Sequence, residues 1–130
     1  MKRINVVILD DEQYVLNCLG RLFRHEPYDV FYAKNYKQSL DIMEKEPVKV
    51  VISDQRMADI GGIEFLNIIQ KKYPDVVRMI FTGYSNLKVI QDAIKKGQID
   101  TVITKPWDDS KIKEIIRSAI NKYDSKKHVS

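Results

Sequence analysis

Four apolar runs in this chain end in side chains that can do chemistry. VVILDDE closes residues 4–9 with Asp10 and Asp11, and VVISDQRM closes residues 48–53 with Asp54. MIFTGYSN carries Thr82 at the end of a third run, and a fourth, VITKPWDD, ends in Lys105 followed by Pro106. Carboxylates gathered within a few ångströms repel, because like charges sharing a site push a carboxyl pKa up and cost stability. A divalent cation relieves the repulsion. With no His or Cys among them, an all-oxygen set suits Mg²⁺, a hard ion held by one or two carboxylates together with waters and phosphate oxygens, and argues against zinc or copper. Lys105 supplies a positive point charge and Thr82 a hydroxyl donor, both matched to phosphoryl oxygens. Asp54 is then the group placed for nucleophilic attack, forming an acyl phosphate. Phosphoryl transfer depends on in-line positioning and charge stabilisation, so a cation, an amine and a hydroxyl around one aspartate make a nearly complete apparatus.

Each residue alone has a plainer reading. An Asp pair after a strand serves as helix cap and first-turn charge, Asp54 as a solvated loop carboxylate, and Thr82 as a strand-end cap. Lys105 before a proline says little by itself. The signal lies in their joint occurrence at the ends of four strands.

The elements that would bring them together are legible in the hydrophobic pattern. Short Val- and Ile-rich runs at 4–9, 28–33, 48–53, 76–81 and 99–103 alternate with segments of helical period, which predicts five βα units. Val15, Leu19, Leu22 and Phe23 share one helical face; Ile112, Ile115, Ile116, Ala119, Ile120 and Tyr123 share another. Helices are also predicted over 36–45, 62–72 and 86–96, with Pro47 and Pro74 ending two of them and Gly97 at a helix C-terminus. Continuous apolar strands joined by helices imply a parallel sheet covered on both faces, a doubly wound α/β fold whose ligands bind beyond the carboxyl ends of the strands. Asp10, Asp11, Asp54, Thr82 and Lys105 all fall at that edge.

A chain of 130 residues, 44% hydrophobic, suits one domain. No apolar run approaches a membrane span and MKRINVVILDD lacks the plan of a signal peptide, so a cytoplasmic location and no membrane association are expected. The net charge of +4 comes from dispersed lysines without interleaved aromatics, which argues against direct nucleic-acid binding. Cys18 is the only cysteine and reads as a small core residue. Residues 124–130, DSKKHVS, are polar and expected to fray, as a tail or the start of a linker after a domain over 1–123.

Taken together, ILDDE, VVISDQRM, Gly62 eight residues after Asp54, FTGY and TKPW resemble the receiver domain of two-component response regulators, the class typified by the chemotaxis response regulator. The likeness covers residues 3 to 123. It implies a flavodoxin-like (βα)5 domain with strand order 2-1-3-4-5 and a phosphorylation-controlled switch whose chemistry is self-modification, not turnover of a foreign substrate. Asp54 would accept phosphate from a sensor histidine kinase or phosphotransfer protein. Mg²⁺ would be held by Asp11, Asp54 and the main-chain carbonyl of Arg56, with Asp10 acting through water. Thr82 and Lys105 would meet the phosphoryl oxygens, and the Lys105–Pro106 bond would be cis, an uncommon isomer in general. The partner would be an output domain or downstream protein, with homodimerisation through the fourth-helix to fifth-helix face expected from the family. FTGY with KPWDD is similar to receivers attached to phosphodiesterase-type output domains.

The sequence departs from the family pattern twice. Ala58 stands where proline is common, and Val102 where many relatives carry a Tyr or Phe that moves with the threonine, leaving Thr82 and the Gly83–Tyr84 loop to carry the switch. Arg56 and Tyr84, each two residues past an active residue, are placed to hinder an attacking water and prolong a phosphoaspartate. Trp107 reads as packing at the entrance to the last helix, with Asp108 or Asp109 as its cap. His25 and His128 fall outside the cluster. A haloacid-dehalogenase-type phosphotransferase would want an aspartate where Arg56 stands. A flavin-binding protein would want a hydroxyl- and glycine-rich loop where DDEQYV stands. A scaffolding receiver that is never phosphorylated fits poorly with an intact set of five residues.

Overall fold

The computed structural model describes residues 5–57, 60–83 and 87–129, without the side chains of Leu87 and of 127–129. Strands and helices alternate through β1 (Asn5–Leu9), α1 (Gln13–Leu22), β2 (Asp29–Ala33), α2 (Tyr36–Lys45), β3 (Val50–Asp54), α3 (Gly62–Lys72), β4 (Val77–Thr82), α4 (Leu87–Lys95), β5 (Thr101–Thr104) and α5 (Asp109–Val129). The strands form one parallel sheet in the order β2-β1-β3-β4-β5. This is the expected flavodoxin-like doubly wound topology, with β1 and β3 adjacent where the strand order reverses.

Alternation along the central strands divides the core in two. Val6, Ile8, Val50, Ile52, Val77, Met79 and Phe81 face α1 and α5, meeting Leu16, Leu19, Ile112 and Ile116. Val7, Leu9, Val51 and Ile80 face the other side, against Phe65, Leu66 and Ile69 of α3 and Ile90 of α4. Each such fully buried aliphatic or aromatic side chain contributes about 1.5–3 kcal/mol, so the two layers fix which strand ends become neighbours. The edge strands β2 and β5 are only partly covered, whereas β1, β3 and β4 are buried throughout.

Local chemistry ends the helices as the sequence predicts. Glu46 is extended ahead of Pro47, and Tyr73 leaves helical geometry ahead of Pro74. Gly97 adopts φ 75°, and the Gln98 N–H closes back on the Ala93 carbonyl at 2.9 Å, the left-handed helix stop that glycine favours. Asp108, not Asp109, caps α5, its carboxylate accepting from the Lys111 N–H at 3.1 Å.

Two expectations need correction. Residues 124–129 do not fray: α5 continues to Val129, because Asp124 accepts from Lys49 Nζ at 2.8 Å and Lys122 donates to Asp100 at 2.7 Å, tying a polar helix to the sheet. Cys18 is half-buried, not a core residue, and accepts a long hydrogen bond from Arg21. Among the described residues no helix is long and apolar enough to cross a membrane.

Candidate functional site

The register of the sheet sets one row of side chains on the α1/α5 face at its carboxyl edge. Asp54 pairs with Phe81, and Phe81 with Ile103. Asp10, one residue beyond the Leu9–Ser53 pair, sits beside Asp54. One oxygen from each of Asp10, Asp11 and Asp54 lies within 4.8 Å of the others. Asp10 is fully buried, Asp54 nearly so, and Asp11 exposed.

Lys105 reaches this row from β5. Its Nζ donates to Asp10 Oδ2 at 3.0 Å and to Asp54 Oδ1 at 3.1 Å, so one ammonium bridges two carboxylates. Asp10 also accepts from the Glu12 N–H at 2.9 Å, a turn ahead of α1; it is not the helix cap, since Glu12 holds the N-cap position without a side-chain cap bond and no acid lies in the first turn. Burial drives the Asp54 carboxyl above its ordinary range; Lys105 opposes that rise, and the charge of Asp10 adds to it. Lys105 feels burial in the opposite sense, yet its hydrogen bond to Asp10 and the field of Asp54 prevail and hold its ammonium above the usual lysine range. The site therefore carries more negative charge than one lysine neutralises.

A cleft of about 240 Å³ opens on Asp54, lined by Glu12, Gln55, Arg56, Thr82, Gly83 and Lys105. Thr82 is buried at the end of β4, and its hydroxyl donates to the Gly83 carbonyl at 3.0 Å, turned into its own loop. The Lys105–Pro106 bond is cis, as the resemblance implied. Gly62 lies where backbone crowds backbone: a Cβ there would stand 2.5 Å from the Asp54 carbonyl oxygen, so only glycine lets α3 begin this close to the strand that carries Asp54. Val102 is half-buried on the opposite face of β5, against the layer that includes Ile90 and Ile80. Tyr84 and Ala58 lie outside the described residues. Among the other side notes of the sequence, Trp107 packs against Phe81 with ring centroids 5.6 Å apart, and His25 is exposed away from the cluster.

Two residues escaped sequence reasoning. Gln55 locks the loop after Asp54: its carbonyl accepts from the Gly62 N–H at 3.0 Å, and its side chain from the Ile63 N–H at 3.2 Å. A polar residue directly after Asp54, seven before Gly62, was the available sign. Phe81 forms the floor between Asp54 and Lys105, but as one apolar residue in an apolar run it carried no signal of its own.

The family model described as response regulator receiver domain matches residues 6–117. The hydrogenase transcriptional regulatory protein HoxA of Bradyrhizobium diazoefficiens is 32% identical over 91% of this chain, which spans 24% of that protein. Sporulation initiation phosphotransferase F of Bacillus subtilis is 32% identical, covering 95% of both chains. Among solved structures, a signal receiver domain of an HD domain-containing protein from Pseudomonas fluorescens superposes with TM-score 0.90 at 29% identity, covering 98% of this chain and 94% of that one. The chain thus spans about a quarter of the hydrogenase regulator and nearly all of the sporulation phosphotransferase.

Proposed function

The chain belongs to the response regulator receiver domain family, and from that premise we propose that it is a phosphorylation switch whose acceptor is Asp54. The observation that carries this reading is the shared ammonium: Lys105 bridges Asp10 and Asp54 inside a cleft that also contains Thr82. An Asp54 oxygen attacks the phosphorus of a phosphohistidine on a sensor kinase or phosphotransfer protein. The new P–O bond forms as the P–N bond breaks, with the electron pair leaving on the imidazole nitrogen. Lys105 exchanges part of its contact with the carboxylates for a phosphoryl oxygen, and the Thr82 hydroxyl rotates from the Gly83 carbonyl to another.

The three carboxylates offer only oxygen donors in a site short of positive charge, which fits a hard divalent cation. Asp10, Asp11 and Asp54, with the main-chain carbonyl of Arg56, would hold Mg²⁺. When bound, it supplies the charge that offsets the acidic cluster and the incoming phosphoryl oxygens. The reaction modifies the protein itself and is not turnover. Arg56 lines the cleft and hinders a hydrolytic water, together with Tyr84; replacing both with alanine should speed loss of the phosphoryl group, and unchanged decay in a dephosphorylation time course would remove this role.

The output is a change of affinity for an attached output domain or a downstream protein, with α4 and α5 as the responding face and the face of a homodimer. In this reading residues 1–123 constitute the switch, and 124–130 are a polar tail or the start of a linker. A cytoplasmic location, without membrane or direct nucleic-acid contact, accompanies this role. The likeness to a receiver from an HD domain-containing protein fits an attached output domain, and FTGY with KPWDD suggests one of phosphodiesterase type. Incubation with Mg²⁺ and acetyl phosphate, or with beryllofluoride, should give one modification by mass or chemical shift in the native chain and none in Asp54→Asn. Modification that survives in the variant would move the acceptor elsewhere.

A further inference from the structure

Lys105 stands at the end of β5, while the carboxylates it holds stand on β3 and beyond β1, so its side chain must cross β4 to reach them. The residue it crosses is Phe81, which shares a face with Asp54 on one side and Ile103 on the other. The Lys105 ammonium lies 5.7 Å from the centroid of the Phe81 ring, within the range at which a cation is drawn to an aromatic face. Phe81 is fully buried, and Trp107 packs against it from the turn that follows Pro106. An aliphatic residue at 81 would fill the space but would present no negative face to the ammonium.

Resting on the reading of Asp54 as acceptor, we propose that Phe81, backed by Trp107, is a positioning residue for phosphoryl transfer: its ring is the polar-faced ledge along which Lys105 spans β4. The ring acts on the lysine head in two ways. It attracts the ammonium without supplying a hydrogen-bond acceptor, so all three N–H donors stay available to carboxylate or phosphoryl oxygens. It also limits the lysine to a path across β4, and less rotamer freedom is lost when the phosphoryl group arrives. Trp107 keeps the ring from rotating away as Lys105 shifts between the carboxylates and the phosphoryl oxygen.

The test uses the full chain with Phe81 replaced, site-specifically, by mono-, di- and trifluorinated phenylalanine, alongside Phe81→Leu. Fluorination drains the ring face while barely changing its shape, so a packing role leaves the series flat. Two readouts are taken. In the unphosphorylated protein, the ε-methylene resonances of Lys105 should lie upfield of those of the other lysines, and Phe81→Leu should abolish that displacement. With Mg²⁺ and acetyl phosphate, the phosphorylation rate should fall stepwise along the fluorinated series, reaching about a threefold to tenfold loss, while thermal unfolding midpoints stay together. A flat rate series, or Lys105 resonances at ordinary positions in the native chain, overturns the proposal and leaves Asp54 as acceptor untouched. If mass analysis finds Asp54 unmodified in the native chain, the acceptor assignment falls and the positioning role in transfer falls with it, whereas the lysine resonances still report whether the ring holds the ammonium.

Discussion

The two edges of the sheet solve opposite problems of charge. At the carboxyl edge Asp10 and Asp54 share the single ammonium of Lys105, with Asp11 nearby, and the Asp54 carboxyl is driven up. At the amino edge one carboxylate, Asp100, draws on three cations: the Arg78 N–H donates to it at 2.8 Å, Lys122 Nζ lies at 2.7 Å, and Arg78 Nη2 and Lys126 Nζ stand farther out at 3.7 and 3.9 Å. Burial works against ionisation there too, but the Arg78 N–H and Lys122 outweigh it and the Asp100 carboxyl is held below its ordinary range. The same ingredients thus give a cluster left short of positive charge where we propose phosphoryl uptake, and a cluster with positive charge to spare where α5 is anchored. The anchor is not without cost, since Nε and Nη1 of the buried Arg78 have no hydrogen-bond partner among the described residues.

The largest effect should come from breaking the anchor. Asp100→Ala strands the Arg78 guanidinium, and breaking a buried pair in this way costs about 3–5 kcal/mol, to be read by urea unfolding. Next is relief of the acidic edge by Mg²⁺: at a hundredfold excess over its dissociation constant the ion should stabilise the native chain by about 2.7 kcal/mol, and far less after Asp54→Asn. A calorimetric midpoint that ignores Mg²⁺ would contradict the charge-deficit account. Third, Asp54→Asn should itself stabilise the metal-free protein at neutral pH, by roughly 1–2 kcal/mol, because it removes a burdened charge.

The sign of its pH dependence separates the edges. Asp54 has a raised folded-state pKa, so the stability it contributes is present in acid and is lost as pH rises from about 4 through that pKa; the advantage of Asp54→Asn should open over the same rise. Asp100 has a lowered one, so its contribution is present above about 4 and is lost as pH falls through the folded value; the deficit of Asp100→Asn should close on acidification. Parallel curves for the two variants would erase the distinction. The smallest effect belongs to Lys122→Ala, whose half-exposed ion pair is worth under about 1 kcal/mol and should weaken further in salt.

The acidic edge was far more legible than the basic one, for a physical reason. Asp10, Asp11, Asp54, Thr82 and Lys105 interrupt apolar runs at strand ends, and parallel topology converts a shared strand end into shared space. Pro47, Pro74 and Gly97 act through their own backbones, so the helix ends they set can be read locally. Asp100 lies near the start of the run 99–103 and Lys122 and Lys126 on a lysine-rich helix where any charge reads as solvated, and nothing in the sequence says that Asp100 is their common acceptor. That blindness is why DSKKHVS reads as a fraying tail, although α5 runs on to Val129. The state of the site was equally hidden. Composition can nominate the Thr82 hydroxyl, but that it faces the Gly83 carbonyl before any ligand arrives is a matter of rotamer.

The contact between Phe81 and Trp107 gives the protein an optical gauge. The chain has a single tryptophan, and only one ring separates it from the Lys105 ammonium, which the proposed modification of Asp54 would displace. Its emission can therefore be followed in real time, without a label, as cation and phosphodonor are mixed with the protein.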